Sequence, residues 1–453
     1  MRKLTGSHYF VMSMLGLVTL LGLVFGTFAL PAGTAQAASL AIKSHAIRVR
    51  PHVWNSGKPD GTGTFPCQNP TYIVHCYGPK QIRAAYAIQP LLNAGINGSG
   101  RTIVIIDAFQ SPTIVQDLQA FNQAFNLHSA PLNIIAPDGL TPFNPNDLNQ
   151  VLWTGEISLD VEWAHAVAPD ATIDLVLAKS NQDADILSVT KFAIDNNLGD
   201  VISQSFGENE SCVDPRILAE EHAVFQEATS KHITLLASSG DSGAAQSTCN
   251  GMSWVSAASS PASDPLVTGV GGTQLFANQK SGSYISEIAW NEQQFQAASG
   301  GGFSALYKRP SYQNDTVAGG SRSVPDVAYN AAVDGGVLVA DSVLPSGAGG
   351  GPFHIFGGTS AGSPQWAGIV ALANQKAGHR LGFLNPTIYE IGQRSSWLAF
   401  HDILFGNNTV QLPDAKGNSV TIVGFSTHKG WDPVTGWGTP KVAGLVPLLV
   451  LLG

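Results

Sequence analysis

The chain has 453 residues, 44% of them hydrophobic and 12% charged, with a formal net charge of −9. That is enough apolar material for one large domain or two ordinary ones, and too much for a disordered chain. The acidic residues are scattered and no basic stripe exists, which argues against a nucleic-acid partner; so sparse a charge also suits an acidic medium, where protonating carboxylates changes little.

Arg2 and Lys3 precede an apolar run over 10–30, and Ala35-Gln36-Ala37 supplies small residues for cleavage. This reads as a secretory signal over 1–37, which makes the mature protein secreted, with no stable membrane association after cleavage. An uncleaved membrane anchor is the alternative that the length of the run permits. Residues 38–79 are rich in Pro, Gly, Ser and Thr and read as an extended lead-in or short propeptide. Four cysteines fit an exported chain, and two local disulfides, Cys67–Cys76 and Cys212–Cys249, are the preferred pairing of three. No Cys-x-x-Cys is present, so a structural zinc site is not expected.

From residue 80 onward apolar strands alternate with amphipathic helices. Strands are predicted at 102–107, 132–136, 172–177, 201–204 and 233–237, and helices from 81, at 113–125, 156–166, 184–196 and 217–231. This alternation predicts an α/β fold with a mostly parallel sheet and helices on both faces. Residues 240–350 are glycine-rich with long loops, a helix is predicted to start at Ser360, and the tail from 400 reads as loops. The apolar stretch 445–452 is too short to span a membrane and is expected to pack as a terminal helix or strand. Without a repeat or a linker, 80–453 reads as one catalytic domain.

Three serine motifs compete. Gly240-Asp-Ser242-Gly-Ala244 resembles the nucleophile loop of trypsin-like proteases, and Gly358-Thr-Ser360-Ala-Gly362 fits both the elbow of α/β-hydrolases and the nucleophile turn of subtilisin-like proteases. None of the 12 histidines sits in an Ala-Ala-His-Cys-like or His-Gly-Thr-His-like segment. The elbow reading survives, with Asp402 and His428 as its acid and base. A different base lies in Gly155-Glu156-Ile-Ser-Leu-Asp160, where two carboxylates at i and i+4 share a helix face. Such neighbours resist double ionisation, so they titrate together and one apparent pKa rises. Apolar Leu159, Val161 and Trp163 argue that this helix is buried; Glu162 reads as its surface carboxylate, and His165 as a packing histidine.

Taken together, these motifs resemble the sedolisins, the serine-carboxyl peptidases also called S53. The matches are Gly155-Glu156-x-x-Leu159-Asp160, Ser238-Ser-Gly240-Asp241-Ser-Gly-Ala244 and Gly358-Thr-Ser360-Ala, with Pro261-Ala-Ser, Val270-Gly-Gly-Thr273, Gly300-Gly-Gly-Phe-Ser304 and Arg322-Ser-Val-Pro-Asp326-Val. They run in family order across nearly the whole mature chain. The resemblance implies a subtilisin-like fold in which Ser360 is the nucleophile, Glu156 the general base, Asp160 its proton-sharing partner and Asp241 the oxyanion residue. It implies an acid-acting endopeptidase working through an acyl-enzyme on protein or peptide substrates, and a monomer. It also implies one calcium ion, held by the carboxylates of Asp402 and Asp432 and the carbonyls of Ile403 and Gly430, with His428 a further carbonyl candidate.

Three departures accompany it. Family members carry a large folded prodomain, whereas about forty residues separate the signal from Tyr77 here. Asp107 stands where some relatives have a glutamate supporting the base, and Phe206 where some have tryptophan. The alternatives are a secreted serine esterase or lipase, which requires His428 or His401 and ignores Glu156, and an inactive peptide-binding homologue, which tolerates loss of Ser360.

Overall fold

The computed structural model describes residues 46–47, 49, 52–56, 59–60, 63–69, 71–129, 131–345 and 351–453. The signal segment and its cleavage site lie outside the described residues. The lead-in does not stand apart: it supplies β1 (His52–Asn55) and β2 (Cys76–Tyr77), and both disulfides form as expected. Two short helices follow, α1 (Pro79–Ala85) and α2 (Gln89–Asn93).

The predicted alternation then unfolds as β3 (Thr102–Ala108), α3 (Ile114–Phe125), β4 (Leu132–Ile135), α4 (Leu148–Val167), β5 (Thr172–Ala178), α5 (Asp183–Asp195), β6 (Val201–Gln204), α6 (Pro215–Ser230) and β7 (Thr234–Ser238). Three further strands, β8 (Thr268–Ala277), β9 (Tyr284–Ala289) and β10 (Val327–Asn330), complete an eight-stranded sheet. Its order is β9-β8-β7-β6-β3-β5-β4, with β10 also beside β8, and every pairing is parallel except β8 with β9.

Burial on both faces explains why the strands read as continuous apolar runs. In β3, Ile103 and Ile105 join the core beneath α4, whereas Val104 and Ile106 join the core beneath α5 and α6. Successive side chains of a strand point to opposite faces, so one Ile-Val-Ile-Ile run feeds two cores.

Helix α4 starts two turns earlier than its predicted boundary. Asp147 caps it by accepting the Asn149 N–H at 3.0 Å, and every residue from Trp153 to Val167 is buried. Glu162 is therefore not a surface carboxylate: it is buried and accepts the Ala340 N–H at 2.9 Å. A helix enclosed on all sides has no solvent face on which a glutamate can sit. His165 packs as expected, its Nε2 2.9 Å from the His128 carbonyl, and burial lowers its pKa to about 4.

A second sheet links the lead-in to the turn that carries Ser360. Its strands β11 (Gly336–Ala340) and β12 (Phe353–Gly357) are antiparallel; β1 adds antiparallel to β12, and β2 parallel to β11. Beyond β12 come a 3-10 turn, Thr359–Ala361, and α7 (Gly362–Ala377), so the α-helix begins two residues after Ser360. The tail is more ordered than a run of loops, with α8 (Asn385–Ala399), a hairpin of Val410–Pro413 with Ser419–Ile422, and the terminal helix α9 (Val442–Leu452). No helix among the described residues is long and apolar enough to cross a membrane.

Candidate active site

Strands β3, β6 and β7 deliver their carboxyl ends to one edge of the sheet, where open α/β sheets place their sites. Asp107 comes from the end of β3, Ser205 follows β6, and Gly240-Asp241 follows β7. Helix α4 supplies Glu156 and Asp160, and the turn before α7 supplies Ser360. Ser360 opens onto a cleft of about 320 Å3, together with Ser205, Phe206, Gly240, Asp241 and Thr359.

Asp107, Glu156 and Asp160 are fully buried. No N–H or hydroxyl among the described residues meets their oxygens in full hydrogen-bond geometry, although the Ser360 hydroxyl acts on Glu156 and the Ser205 hydroxyl on Asp160. Buried carboxyl groups that lack strong donors favour their neutral, protonated forms. Their electrostatics agree. Burial, and then the charge of Asp160, pushes Glu156 well above the usual carboxylate range, against a smaller pull from the Ser360 hydroxyl. Burial followed by Asp107 does the same to Asp160, and burial followed by Glu156 to Asp107. Asp107 is thus electrostatically coupled to the predicted pair, making a trio of buried carboxyls.

Ser360 Oγ donates to the Ser205 carbonyl at 3.1 Å. That bond holds the hydroxyl near Glu156 without consuming the glutamate's oxygens. Behind it, the Ser203 and Ser363 hydroxyls lie 2.8 Å apart and tie β6 to α7.

Asp241 lines the same cleft. Its Oδ1 accepts both the N–H and the hydroxyl of Thr359, at 2.7 and 2.8 Å, and Gly240 N–H donates to the same hydroxyl at 3.1 Å. Oδ2 lies 2.7 Å from where a Cβ on Gly358 would stand. Gly358 has φ +134°, a conformation glycine adopts without strain, so the chain passes close to this carboxyl. Burial raises the Asp241 pKa, while His52 and the two Thr359 bonds draw it back. Thr359 was not singled out in the sequence; its only signal is its place before the nucleophile.

The lead-in enters the same cleft. Ala46 pairs antiparallel with Gln182, Ile47 N–H donates to the Asn181 carbonyl at 2.9 Å, and Ala46 and Val49 line the pocket that holds Ser360. Further along, β1 pairs with β12, the strand that precedes the turn carrying Ser360.

Asp402 and His428, the elbow's acid and base, are not among the cleft's lining residues. Asp402 instead accepts the Gly430 N–H at 3.2 and 3.0 Å. Asp432 is buried and accepts N–H groups from His428, Val434 and Thr435 at 2.9–3.3 Å. Both aspartates thus engage the loop 428–432, and Ile403 is buried next to Asp402. Two carboxylates beside flexible backbone carbonyls are a hard oxygen set of the kind calcium takes. Among the described residues no three His, Cys, Asp or Glu side chains gather as a metal cluster, so any ion here depends on main-chain oxygens.

Comparison with known proteins gives consistent findings. The subtilase family (Peptidase S8) matches residues 145–390. Kumamolisin of Bacillus sp. (strain MN-32) is 32% identical over 393 residues, which cover 83% of this chain and 64% of that protein. Tripeptidyl-peptidase 1 of Canis lupus familiaris is 32% identical over 323 residues, covering 65% of this chain and 52% of that protein. The chain spans less than two thirds of the length of either. The solved structure of Pseudomonas sedolisin, a serine-carboxyl proteinase complexed with two molecules of pseudo-iodotyrostatin, superposes with a TM-score of 0.69 at 27% identity, covering 83% of this chain and 98% of that one.

Proposed function

The chain belongs to the sedolisin family of serine-carboxyl peptidases, and on that premise we propose that it is a secreted, acid-acting endopeptidase with Ser360 as nucleophile. The observation that carries this reading is the buried trio Asp107, Glu156 and Asp160 beside Ser360, with Asp241 held across the cleft.

The trio titrates as a unit. Its first deprotonation leaves a carboxylate that Glu156 presents to the Ser360 hydroxyl, and the remaining protons on Asp160 and Asp107 stabilise that charge. Ser360 Oγ attacks the scissile carbonyl as its proton passes to Glu156. Asp241, kept protonated by burial, donates from Oδ2 to the oxyanion, since Oδ1 is already engaged by Thr359. The C–N bond breaks as Glu156 returns the proton to the leaving amine, and water repeats the sequence on the acyl-enzyme. At higher pH Asp241 and the trio ionise, the donor is lost, and activity falls.

The path of the lead-in supports the endo mode over removal of N-terminal tripeptides. Ala46 and Val49, both internal residues of the sequence, line the pocket that holds Ser360, which favours a cleft that accepts chain away from a free N-terminus. Two disulfides support an exported setting. The test is hydrolysis of an internally quenched peptide blocked at both ends, from pH 3 to 8, by wild type, Ser360→Ala and Glu156→Gln. Wild type cuts it in acid and both variants lose at least about a hundredfold. Cleavage confined to free N-termini in three-residue steps would end the endopeptidase reading, and an active Glu156→Gln variant would end the carboxyl mechanism.

We also propose one calcium ion at Asp402 and Asp432, completed by the carbonyls of Ile403 and Gly430. When bound it would tie the loop 428–432 to the segment after α8. Chelation should then lower thermal stability, by about 2.7 kcal/mol for calcium at a hundred times its Kd. A melting temperature unchanged between chelator and added calcium counts against the site.

A further inference from the structure

The charge of the cleft that holds Ser360 is one-sided. Of the described residues that line it, only Glu208 and Asp241 are acidic, and no Lys, Arg or His is among them. Asp241 has the oxyanion role given above, whereas Glu208 has none.

The chain holds Glu208 in place on both sides. Three residues upstream, the Ser205 carbonyl accepts the Ser360 hydroxyl at 3.1 Å. Glu208 begins a two-residue strand, Glu208–Asn209, that pairs antiparallel with Ser259–Ser260. Downstream, Asn209 Nδ2 donates to the Ser247 carbonyl at 3.1 Å, and the Cys212–Cys249 disulfide joins the same two stretches of chain. Residues of both stretches line the cleft, so these links fix its width. Three residues of chain span at most about 10 Å. A side chain that reaches Glu208 therefore belongs to a substrate residue close to the scissile bond.

We propose that Glu208 is a specificity-determining residue that selects substrates with an arginine or lysine side chain close to the scissile bond. The proposal rests on the peptidase reading of Ser360.

The chemistry follows from what surrounds the carboxyl. Ser260, opposite Glu208 in the ladder, donates to Glu221 of α6 at 3.2 Å, which sets a second carboxyl behind the first. Asp183, the first residue of α5, acts on Glu208 through a hydrogen bond and through its charge, and Glu221 adds further negative charge. A hydrogen bond between two carboxyls requires a shared proton, so the pair keeps one negative charge after its first deprotonation and resists a second. An arginine or lysine brings the opposite charge together with donors for these oxygens. A glutamate of the substrate would add to the repulsion, and a leucine would dehydrate the pair without offering a donor.

The test is kcat/KM at a fixed acid pH on blocked, quenched peptides that carry one arginine, citrulline, lysine or norleucine at successive positions around the scissile bond. Citrulline keeps the shape of arginine and removes its charge. Wild type should prefer arginine to citrulline, and lysine to norleucine, by about ten- to a hundredfold at one position, the range of a hydrogen bond to a charged group. Glu208→Gln should bring both ratios close to unity. A merely structural role for Glu208 would lower all four rates together and leave the ratios as in wild type, which overturns the proposal. A wild type without preference for either cation at any position overturns it with no variant needed. Ser360→Ala, assayed on the same peptides, separates the two levels: if it still cleaves them, the peptidase reading itself fails.

Discussion

At the scale of single residues, the site depends on one carboxyl having one oxygen to spare. Thr359 occupies Oδ1 of Asp241, and Oδ2 stands 2.7 Å from the position of a Gly358 Cβ. Gly358→Ala therefore both strains a backbone at φ +134° and pushes the oxygen that faces the substrate. Loss of an oxyanion donor costs about 10²–10³ in kcat, so a fall of that order with a nearly unchanged KM is expected in steady-state kinetics. A variant with wild-type kcat would mean that Asp241 is free to move aside. Glu156 and Asp160 were legible in the sequence because their relation is local, four residues on one helix. Asp107 and Thr359 were harder to read because each acts on a partner far along the chain. The elbow motif around Ser360 misled for the same reason: Gly-x-Ser-x-Gly describes a turn, and the turn does not say which base it meets.

At the scale of elements, the distance between Glu156 and Ser360 is set by the packing of α4 on α7. Gly368 of α7 makes that packing close, since a Cβ there would stand 2.7 Å from Val167 Cβ of α4. Gly368→Ala gains about 1 kcal/mol of helix propensity but forces the helices apart, and overpacking of this kind costs about 1–3 kcal/mol. The expected outcome is a lower melting temperature together with a fall in kcat, because Glu156 rides on one helix and Ser360 on the turn that opens the other. A stabilised variant with full activity would show that the helices have slack. The sequence shows both helices, but the predicted α4 begins at Glu156, whereas the Asp147 cap sets its start two turns earlier. The burial of Glu162 was hidden because a helix enclosed all round has no periodic face to betray which positions meet solvent. The pairing of β1 with β12 joins segments about 300 residues apart, and no local pattern announces such a partner.

At the scale of the whole molecule, the fold holds carboxyl groups in places where they prefer to be neutral. Beyond the trio, burial and then Asp264 raise Glu221 to about 8, burial raises Glu287 to about 7 against four hydrogen bonds, and burial raises Asp341 to about 6. Burial, with Asp183 beside it, pushes Glu208 up as well. In each case the folded state binds a proton that the unfolded state has already released, over the interval from the ordinary value near 4 to the raised one. Where the folded state binds more protons, stability falls as pH rises. The contribution is thus fully present below about pH 4 and lost as pH climbs through 6 to 8. His165 and His401, both lowered by burial to about 4, act in the opposite sense between there and the ordinary histidine value of 6.5. They offset part of the loss in that interval and none above it. The melting temperature should therefore already fall between pH 4 and 6.5, where the raised carboxyls outnumber the two histidines, and continue to fall to about pH 8, as followed by circular dichroism. Replacing Glu221 by Gln, which needs no proton to stay neutral, should flatten that fall. A melting temperature that rises through the same interval would mean that these carboxyls are solvated in solution, and would remove the physical link between this fold and an acid working range.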